Sequence, residues 1–314
     1  MINIENIHYS CRHDFCDSQV PGSRAFLNWD FIETLSKATG YKNVSVTIEA
    51  GGKKYILPLL ERRTLGLYPI AFSLPFGLYG GINVSEAELY IELMKHIKKF
   101  LGCAIVLQNP FDPILPCINL SSLCQAYTHG VEFGNATYED VFRTFFDSKL
   151  RNQIRKGEKS NLTIREGNDE NIINTFYELY VLTNLRWGKR HPKYSIDFFK
   201  PFAGKSYFEI KLSILEGKAV SAIILLKLSG QYLYWFGALN KDYGEYCPNH
   251  LLLSRTIREA IETHAEFFNF GASGKLIDVK KFKESFGAKE ISYDIYFMGN
   301  PLTRYALATL IRRQ

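Results

Sequence analysis

Alternating apolar and polar positions predict three consecutive strands in the second half of the chain. Residues 207–240 form three alternating segments separated by Glu-Gly-Lys and Ser-Gly-Gln turns, a pattern typical of a meander. A helix is predicted from about Pro248, a residue suited to the first helical position, to His264. The next segment, EFFNFGAS, predicts a strand that ends at Gly271.

The first half of the chain repeats this order. The segments NVSVTIEA and KKYILPLLERR predict a hairpin around the turn Gly51-Gly52, and the extended segment PIAFSLPFGLYGG follows. A helix is predicted from about Ser85, which would form a capping box with Glu88, to Leu101, and CAIVLQNP predicts a strand. Meander, helix and strand thus occur twice, which predicts an α/β fold built from two similar lobes.

We predict that the first lobe spans residues 1–136 and the second lobe residues 137–314. At the junction, Thr137 is expected to cap a helix with Asp140 three residues later, a weaker form of the same box. The segment NPLTRYALATLIRRQ predicts a final amphipathic helix.

Composition is compatible with such a globular protein. The chain has 314 residues, enough for two domains, of which 46% are hydrophobic and 22% charged. A net charge of +6 is compatible with anionic partners such as nucleotides, phosphates or RNA, without requiring one. The amino-terminal segment lacks the features of a secretory signal, and no apolar run approaches the roughly 20 residues of a membrane span. We therefore predict a cytoplasmic protein without a membrane span.

One predicted helix carries a basic face. Arg151, Arg155 and Lys159 recur every four residues, whereas Leu150 and Ile154 lie on the side expected to be buried. The basic face has two interpretations. It is either a solvated helix surface, partly balanced by a nearby glutamate, or a rim that binds phosphate or RNA backbone. In the second case Arg155 is a candidate substrate-binding residue.

The segment LRNQIRKGEKSNLTIREG, which begins at Leu150, resembles the start of the second lobe in Fem-type aminoacyl-transferases of the GNAT superfamily. Further segments follow in that family's order: YELYVLTNLRWG, HPKYSIDFF, GKAVSAIILLKLSGQYLYWFGALN, PNHLLLSRTIREA, FFNFGAS and KFKESFGAKE. LPLLERR and SLPFGLYGG in the first half are also similar, so the resemblance extends from about Phe26. It implies two tandem GNAT-like domains, each a mixed, mostly antiparallel sheet flanked by helices, and an N-acyl transfer reaction.

The resemblance also implies roles for individual residues of the second lobe. Phe282 and Lys283 match a pair near the reacting centre, where the lysine faces phosphate or developing negative charge. The alternative is that Lys283 belongs to a basic surface strand. Arg186 and Tyr194 match positions that bind an anionic, nucleotide-bearing acceptor. An exposed helix residue beside Trp187 is the alternative for Arg186.

Three further candidates have plain structural alternatives. Tyr234 matches a strand tyrosine that reaches the cleft, although Tyr232 could take its place, and a core aromatic is the alternative. Tyr79 lies in the glycine-containing segment SLPFGLYGG, where backbone amides could meet a ligand or simply form a turn. Asp112 is the carboxylate of the first lobe best placed to bind substrate or take a proton, and its alternative is a turn residue.

The identity of the donor depends on one departure from other GNAT enzymes. Acetyl-CoA enzymes carry a glycine-rich pyrophosphate loop where this chain has NKDYGEYCPNHLL, with a single glycine. Aminoacyl-tRNA is therefore expected as co-substrate ahead of acyl-CoA, with no permanently bound cofactor and no metal. The acceptor is expected to be a small-molecule or nucleotide-linked amine, such as a cell-wall or polysaccharide precursor. The alternative functions are a non-catalytic ligand-binding twin GNAT protein and an RNA-binding protein.

Overall fold

A computed structural model describes residues 4–17, 26–64, 68–82, 84, 86–111, 122–228, 230–274 and 276–299. The helices of these residues are α1 (Arg12–Asp17), α2 (Trp29–Thr39), α3 (Ala87–Leu101), α4 (Tyr138–Thr144), α5 (Ser148–Glu158), α6 (Glu170–Arg186), α7 (Pro248–Glu262) and α8 (Ile277–Glu284). The strands are β1 (Ile4–Tyr9), β2 (Lys42–Asn43), β3 (Val46–Ala50), β4 (Lys53–Leu57), β5 (Leu60–Thr64), β6 (Tyr68–Phe72), β7 (Ala104–Leu107), β8 (Ser122–Glu132), β9 (Thr163–Gly167), β10 (Phe208–Leu215), β11 (Lys218–Leu228), β12 (Gln231–Leu239), β13 (Phe267–Gly271) and β14 (Lys289–Met298).

The chain divides into two compact units. Unit 1 contains the residues up to Tyr127 together with those from Ile291 onward, and unit 2 contains Thr128–Glu290. The boundaries predicted from the sequence were 1–136 and 137–314. The end of the chain returns to unit 1 because β14 pairs antiparallel with β7, with Met298 opposite Ala104. The predicted helix over residues 300–314 lies outside the described residues.

Unit 1 contains two sheets. One has the order β1-β3-β4, and the other joins β2, β5, β6, β7 and β14, in which only the β6–β7 pair is parallel. The predicted hairpin strand KKYILPLLERR is two strands, because β4 ends and β5 begins around Pro58. Proline has no amide hydrogen for a strand ladder, so a change of sheet is accommodated there. Helix α3 begins at Ala87, and the predicted capping residue Ser85 lies outside the described residues.

Unit 2 contains a sheet of the order β8-β13-β12-β11-β10-β9. The meander β10-β11-β12 is confirmed, and β13 then pairs parallel with β12 after the crossover helix α7. Leu252 and Ile257 of α7 pack against Ile223 and Leu225 of β11, and all four side chains are fully buried. Burial of each such side chain stabilises the fold by about 1.5–3 kcal/mol.

The basic helix α5 is held by its apolar side. Leu150 and Ile154 are buried, as predicted, and join the same core cluster as α7. Thr137 forms the predicted capping box with Asp140 at the start of α4. Both units therefore contain a mixed, mostly antiparallel sheet flanked by helices, which confirms the predicted fold class.

Candidate active site

Strands β12 and β13 pair over only part of their length in unit 2. Their parallel register runs from Gln231 opposite Phe267 to Leu233 opposite Asn269, whereas β12 continues to Leu239. Just beyond this paired stretch, the pairing of β12 with β11 has a bulge. Leu225 pairs with Tyr234, whereas Ile224 pairs with Phe236. Bulges of this kind re-aim side chains and occur often beside active sites. A backbone segment of β12 next to the end of β13 is thus a position that a ligand could approach.

Gly271, the last residue of β13, has a backbone conformation that favours glycine, with a φ of +68°. A Cβ at this position would lie 3.4 Å from the carbonyl oxygen of Tyr234 in β12. Since L side chains rarely adopt such φ values, glycine allows β13 to turn here close to β12.

Lys283 of α8 is bound to the end of β13. Its Nζ donates to the carbonyl oxygens of Gly271, at 2.8 Å, and Ala272, at 2.7 Å, and the residue is only 3% exposed. Burial lowers the pKa of Lys283 to about 7, so amine and ammonium coexist near neutral pH. The alternative of a basic surface strand is wrong, because the segment is a helix and the side chain is buried.

His129 of β8 is a second titratable group at this place, and sequence reasoning missed it. It lies opposite Gly271 in the ladder, with Nδ1 3.3 Å from the hydroxyl oxygen of Ser273 and Nε2 3.7 Å from a carboxylate oxygen of Glu290. Burial, and then the charge of Lys283, lower the pKa of His129, although Glu290 opposes this effect. The imidazole is therefore neutral at pH 7. No motif spacing joins these residues in the sequence, so only their strand and loop positions could have indicated the site.

Phe282 packs between α8 and the first turn of α7. Its ring centroid lies 5.2 Å from that of His250 and 5.4 Å from that of Phe286. Burial lowers the pKa of His250 to about 4, which keeps this imidazole neutral. Helix α7 starts after Cys247 without a side-chain cap hydrogen bond. This is the helix start that would follow the pyrophosphate loop of an acetyl-CoA enzyme.

The two candidate tyrosines of β12 differ in their contacts. Tyr232 donates to Glu259 at 3.1 Å and lies 3.1 Å from the hydroxyl oxygen of Thr263, so its hydroxyl is held at α7. The hydroxyl of Tyr234 lies over Gly237, where a Cβ would come within 1.8 Å of it. Burial raises the pKa of Tyr234 to about 12, so its phenol is protonated. The backbone carbonyl of Tyr234, not its hydroxyl, is the part of this residue that lies beside Gly271.

Arg186 and Tyr194 lie with a different group of side chains. Arg186 is the last residue of α6 and is exposed, with its guanidinium carbon 5.7 Å from the ring centroid of Trp187. Tyr194 stacks on Phe198 with ring centroids 4.5 Å apart and contacts Phe236 of β12 at 5.6 Å. These contacts place Arg186 at the end of α6 and Tyr194 between the segment that follows α6 and strand β12.

The remaining candidates have separate positions. Tyr79 belongs to unit 1, where it is 1% exposed and its ring centroid lies 5.2 Å from that of Phe26. Asp112 lies outside the described residues. Arg155 is on α5, where it donates to the side chain of Asn152 and its guanidinium carbon lies 5.5 Å from the ring centroid of Phe142. The functional roles of these residues stay predictions.

One carboxylate cluster has the spacing of a metal site. Oxygen atoms of Glu166, Glu209 and Glu259 lie within 4.8 Å of one another. However, Lys211 Nζ lies 2.5–3.0 Å from all three carboxylates, and Lys227 Nζ lies within 2.8 Å of two of them. Burial disfavours the charge of Lys211, but the carboxylates outweigh this effect and raise its pKa. The cluster is thus an ion-pair network that joins β9, β10, β11 and α7.

Comparison with known proteins identifies the domain that contains the Lys283 site. Residues 145–284 match the family described as the acetyltransferase (GNAT) domain. Lys283 therefore lies within the part of the chain that matches a GNAT domain. No curated protein matches the chain in sequence.

Solved structures extend the likeness in fold to nearly the whole length of the chain. The chain is similar to FemX, with a TM-score of 0.73, 14% identity and coverage of 96% of this chain and 99% of FemX. L-PGS from Bacillus licheniformis matches with a TM-score of 0.56 and 12% identity over 96% of this chain and 97% of that one. A tandem GNAT protein from the clavulanic acid biosynthesis pathway matches with a TM-score of 0.50 and 7% identity over 94% and 98%.

These findings confirm the predicted resemblance in two steps. The domain match confirms the GNAT superfamily and the acyltransferase class, and the structural matches confirm a Fem-like, tandem GNAT fold. Among the described residues, there is no helix with the length and apolar character needed to cross a membrane.

Proposed function

We propose that this GNAT protein transfers an aminoacyl or acyl group from an activated ester or thioester to an amine, with Lys283 at the reacting centre. The observation that carries the proposal is the buried Nζ of Lys283, held by two carbonyls where β12 and β13 cease to pair. A fixed cation in a buried position is worth more to a developing oxyanion than one in water.

Lys283 has two protonation states with different uses. As an ammonium it has three N–H groups, of which the carbonyls of Gly271 and Ala272 take two, which leaves one for an oxyanion. As a neutral amine it can keep both bonds and presents a lone pair that can accept a proton from the attacking amine. A pKa of about 7 makes both states accessible at neutral pH.

The donor is proposed to be aminoacyl-tRNA, with acyl-CoA as the alternative. The segment before α7 has one glycine and forms no glycine-rich loop, which disfavours CoA pyrophosphate. The acceptor is proposed to be a small-molecule or nucleotide-linked amine, with Arg186 and Tyr194 as acceptor-binding candidates. A cytoplasmic location would give access to either donor.

The test is transfer from defined donors. The purified protein is incubated with charged tRNAs or a panel of acyl-CoA thioesters, together with amine acceptors, and the new amide is measured by mass spectrometry. We expect transfer by the wild type and a loss of at least about 100-fold in Lys283→Met, the scale of losing one oxyanion donor.

Lys281→Met is the matched control, because Lys281 is exposed on the same helix. It should retain wild-type turnover. Near-wild-type turnover in Lys283→Met would remove Lys283 from the chemistry. No transfer from any donor would instead favour the non-catalytic, ligand-binding function.

A further inference from the structure

An arginine-rich cavity lies on unit 2, formed by α4, α5 and α7. Its volume is about 460 Å³, and the charged residues that line it are Arg143, Arg151, Arg155, Arg258, Glu139 and Glu158. It does not include the Lys283 site. We call it the arginine cavity.

The arginine cavity has an excess of positive charge. Four guanidinium groups line it against two carboxylates. Glu139 lies 3.8 Å from Arg258, and Glu158 lies 3.5 Å from Arg255, which is not part of the lining. Even if both carboxylates cancel one positive charge each, the lining keeps an excess of two positive charges. The cavity therefore attracts anions.

Neutral groups hold three of these arginines in place. Arg151 donates to the carbonyl oxygens of Arg143, in the last turn of α4, and Phe146, just after it, at 3.1 and 2.5 Å. The guanidinium carbon of Arg258 lies 4.1 Å from the ring centroid of Tyr138, and that of Arg155 lies over Phe142. Carbonyls and rings fix a guanidinium without cancelling its charge. The cations are thus positioned while their charge is still available to a ligand.

The aromatic lining offers little for stacking a base. An arginine guanidinium group lies over the ring of Tyr138 and another over that of Phe142. The two rings also pack against each other, with centroids 5.9 Å apart, and against Phe146. Recognition by charge, which is indifferent to base identity, is therefore favoured over recognition by base stacking. Arginine forks also match the geometry of phosphate oxygens.

We infer that the arginine cavity binds the phosphodiester backbone of an RNA strand, independently of its sequence. This inference rests on the proposed function in one respect, since a tRNA-borne donor would supply that strand. The cavity would hold the RNA body while its acylated end reacts elsewhere.

The test uses a fluorescently labelled RNA hairpin that has a single-stranded 3′ end and carries no aminoacyl group. Its binding is measured by fluorescence anisotropy at several salt concentrations. The double variant Arg143→Gln/Arg155→Gln removes two charges from exposed helix positions. We expect its affinity to fall at least about tenfold, because two charge-assisted contacts with phosphate are lost. The slope of log K against log salt should become shallower by about 2.

Arg165→Gln is the matched control, because Arg165 is exposed on β9, opposite Leu212 in the ladder. It should keep the affinity and salt slope of the wild type. Thermal unfolding of all variants checks that each is folded. Equal RNA affinity and slope in the double variant and the wild type would overturn the inference.

A competition arm separates RNA from a nucleotide-linked ligand. ADP or UDP is added to the complex of wild type and hairpin at the concentration that saturates its own binding to the protein. If the nucleotide displaces the hairpin and the double variant no longer binds the nucleotide, the cavity is a nucleotide site. The inference then fails. Because the hairpin carries no aminoacyl group, its binding is measured in the absence of any transfer reaction. Loss of transfer with intact RNA binding would therefore count against the proposed function alone.

Discussion

The two units use the same succession of strand, helix and parallel strand but differ at the end of the second strand. In unit 1, β7 is followed by Gln108 and Asn109, two buried amides. Gln108 accepts from the hydroxyl of Tyr296 at 3.4 Å, and Asn109 accepts from the backbone amide of Phe111 at 3.1 Å. In unit 2, β13 ends at a buried ammonium group, that of Lys283.

This difference separates a structural strand end from a reactive one. A neutral amide does not titrate, although the Nε2 of Gln108 is buried without a hydrogen-bond partner among the described residues. A buried lysine has its pKa lowered by the loss of hydration, so its proton becomes available near neutral pH. The duplicated order of elements thus carries titratable chemistry in unit 2, where Lys283 and His129 lie at one strand end.

The largest expected effect concerns the pH dependence of stability. Folding lowers the pKa of Lys283 from 10.5 to about 7, so the unfolded chain binds an extra proton between these values. The free energy of unfolding should therefore rise with pH from about 7 to 10.5, by on the order of 4–5 kcal/mol in total. Lys283→Met should remove this rise, as measured by denaturant unfolding at a series of pH values.

Lys281→Met is the control for that experiment and should keep the rise. The free energy of unfolding of Lys283→Met could instead depend on pH as that of the wild type does. This result would show that the strand end of unit 2 is no more titratable than that of unit 1.

An intermediate effect is expected at the buried carboxylate of unit 1. Burial disfavours the charge of Asp14, but its hydrogen bonds with Cys11, Lys54 and His8 outweigh this and lower its pKa to about 2. The resulting stability is present above pH 4 and is lost as pH falls from about 4 to 2. Asp14→Asn should lower the free energy of unfolding at pH 7 by about 2 kcal/mol, measured in urea.

Transfer by folded Asp14→Asn should equal that of the wild type, because this ion pair belongs to unit 1 and lies outside the Lys283 site. A selective loss of turnover in a fully folded variant would contradict the division between a structural unit 1 and a reactive unit 2.

The smallest effect is expected at the amide strand end itself. Gln108→Met keeps the length of the side chain and removes its hydrogen bond with Tyr296, but it also removes the buried Nε2 that has no partner among the described residues. Tyr296 keeps Asp294 as an acceptor, so the free energy of unfolding should change by less than about 1 kcal/mol. The pH dependence between 7 and 10 should be unchanged. A new dependence in this range would mean that the amide of unit 1 also controls a titrating group.

Much of the fold could be predicted because its signals are local. The alternation of β10, β11 and β12, the proline at the start of α7 and the Thr137 cap all act within a few residues of their own position. Where two extended segments meet without a turn, the local signal is weaker. The pattern therefore predicted one strand across Pro58, whereas packing assigns β4 and β5 to different sheets.

The candidate site was predicted less completely, because proximity there depends on residues far apart in the chain. The resemblance indicated Lys283, but its helix, its burial and its two carbonyl partners depend on how α8 packs against β13. His129 and Ser273 are 144 positions apart and meet only because β8 and β13 are neighbouring strands.

By itself, the sequence determined the order of strands and helices, the duplication of that order and the GNAT resemblance, because periodicity, turn residues and caps specify local backbone conformation. Only the tertiary structure decided which ionisable groups are buried. Packing removes water from Lys283 and places the backbone carbonyl of Tyr234 beside Gly271. In unit 1, packing buries the neutral amide of Gln108 at the corresponding strand end. Hydration and distance set a pKa, and both are properties of the packed chain.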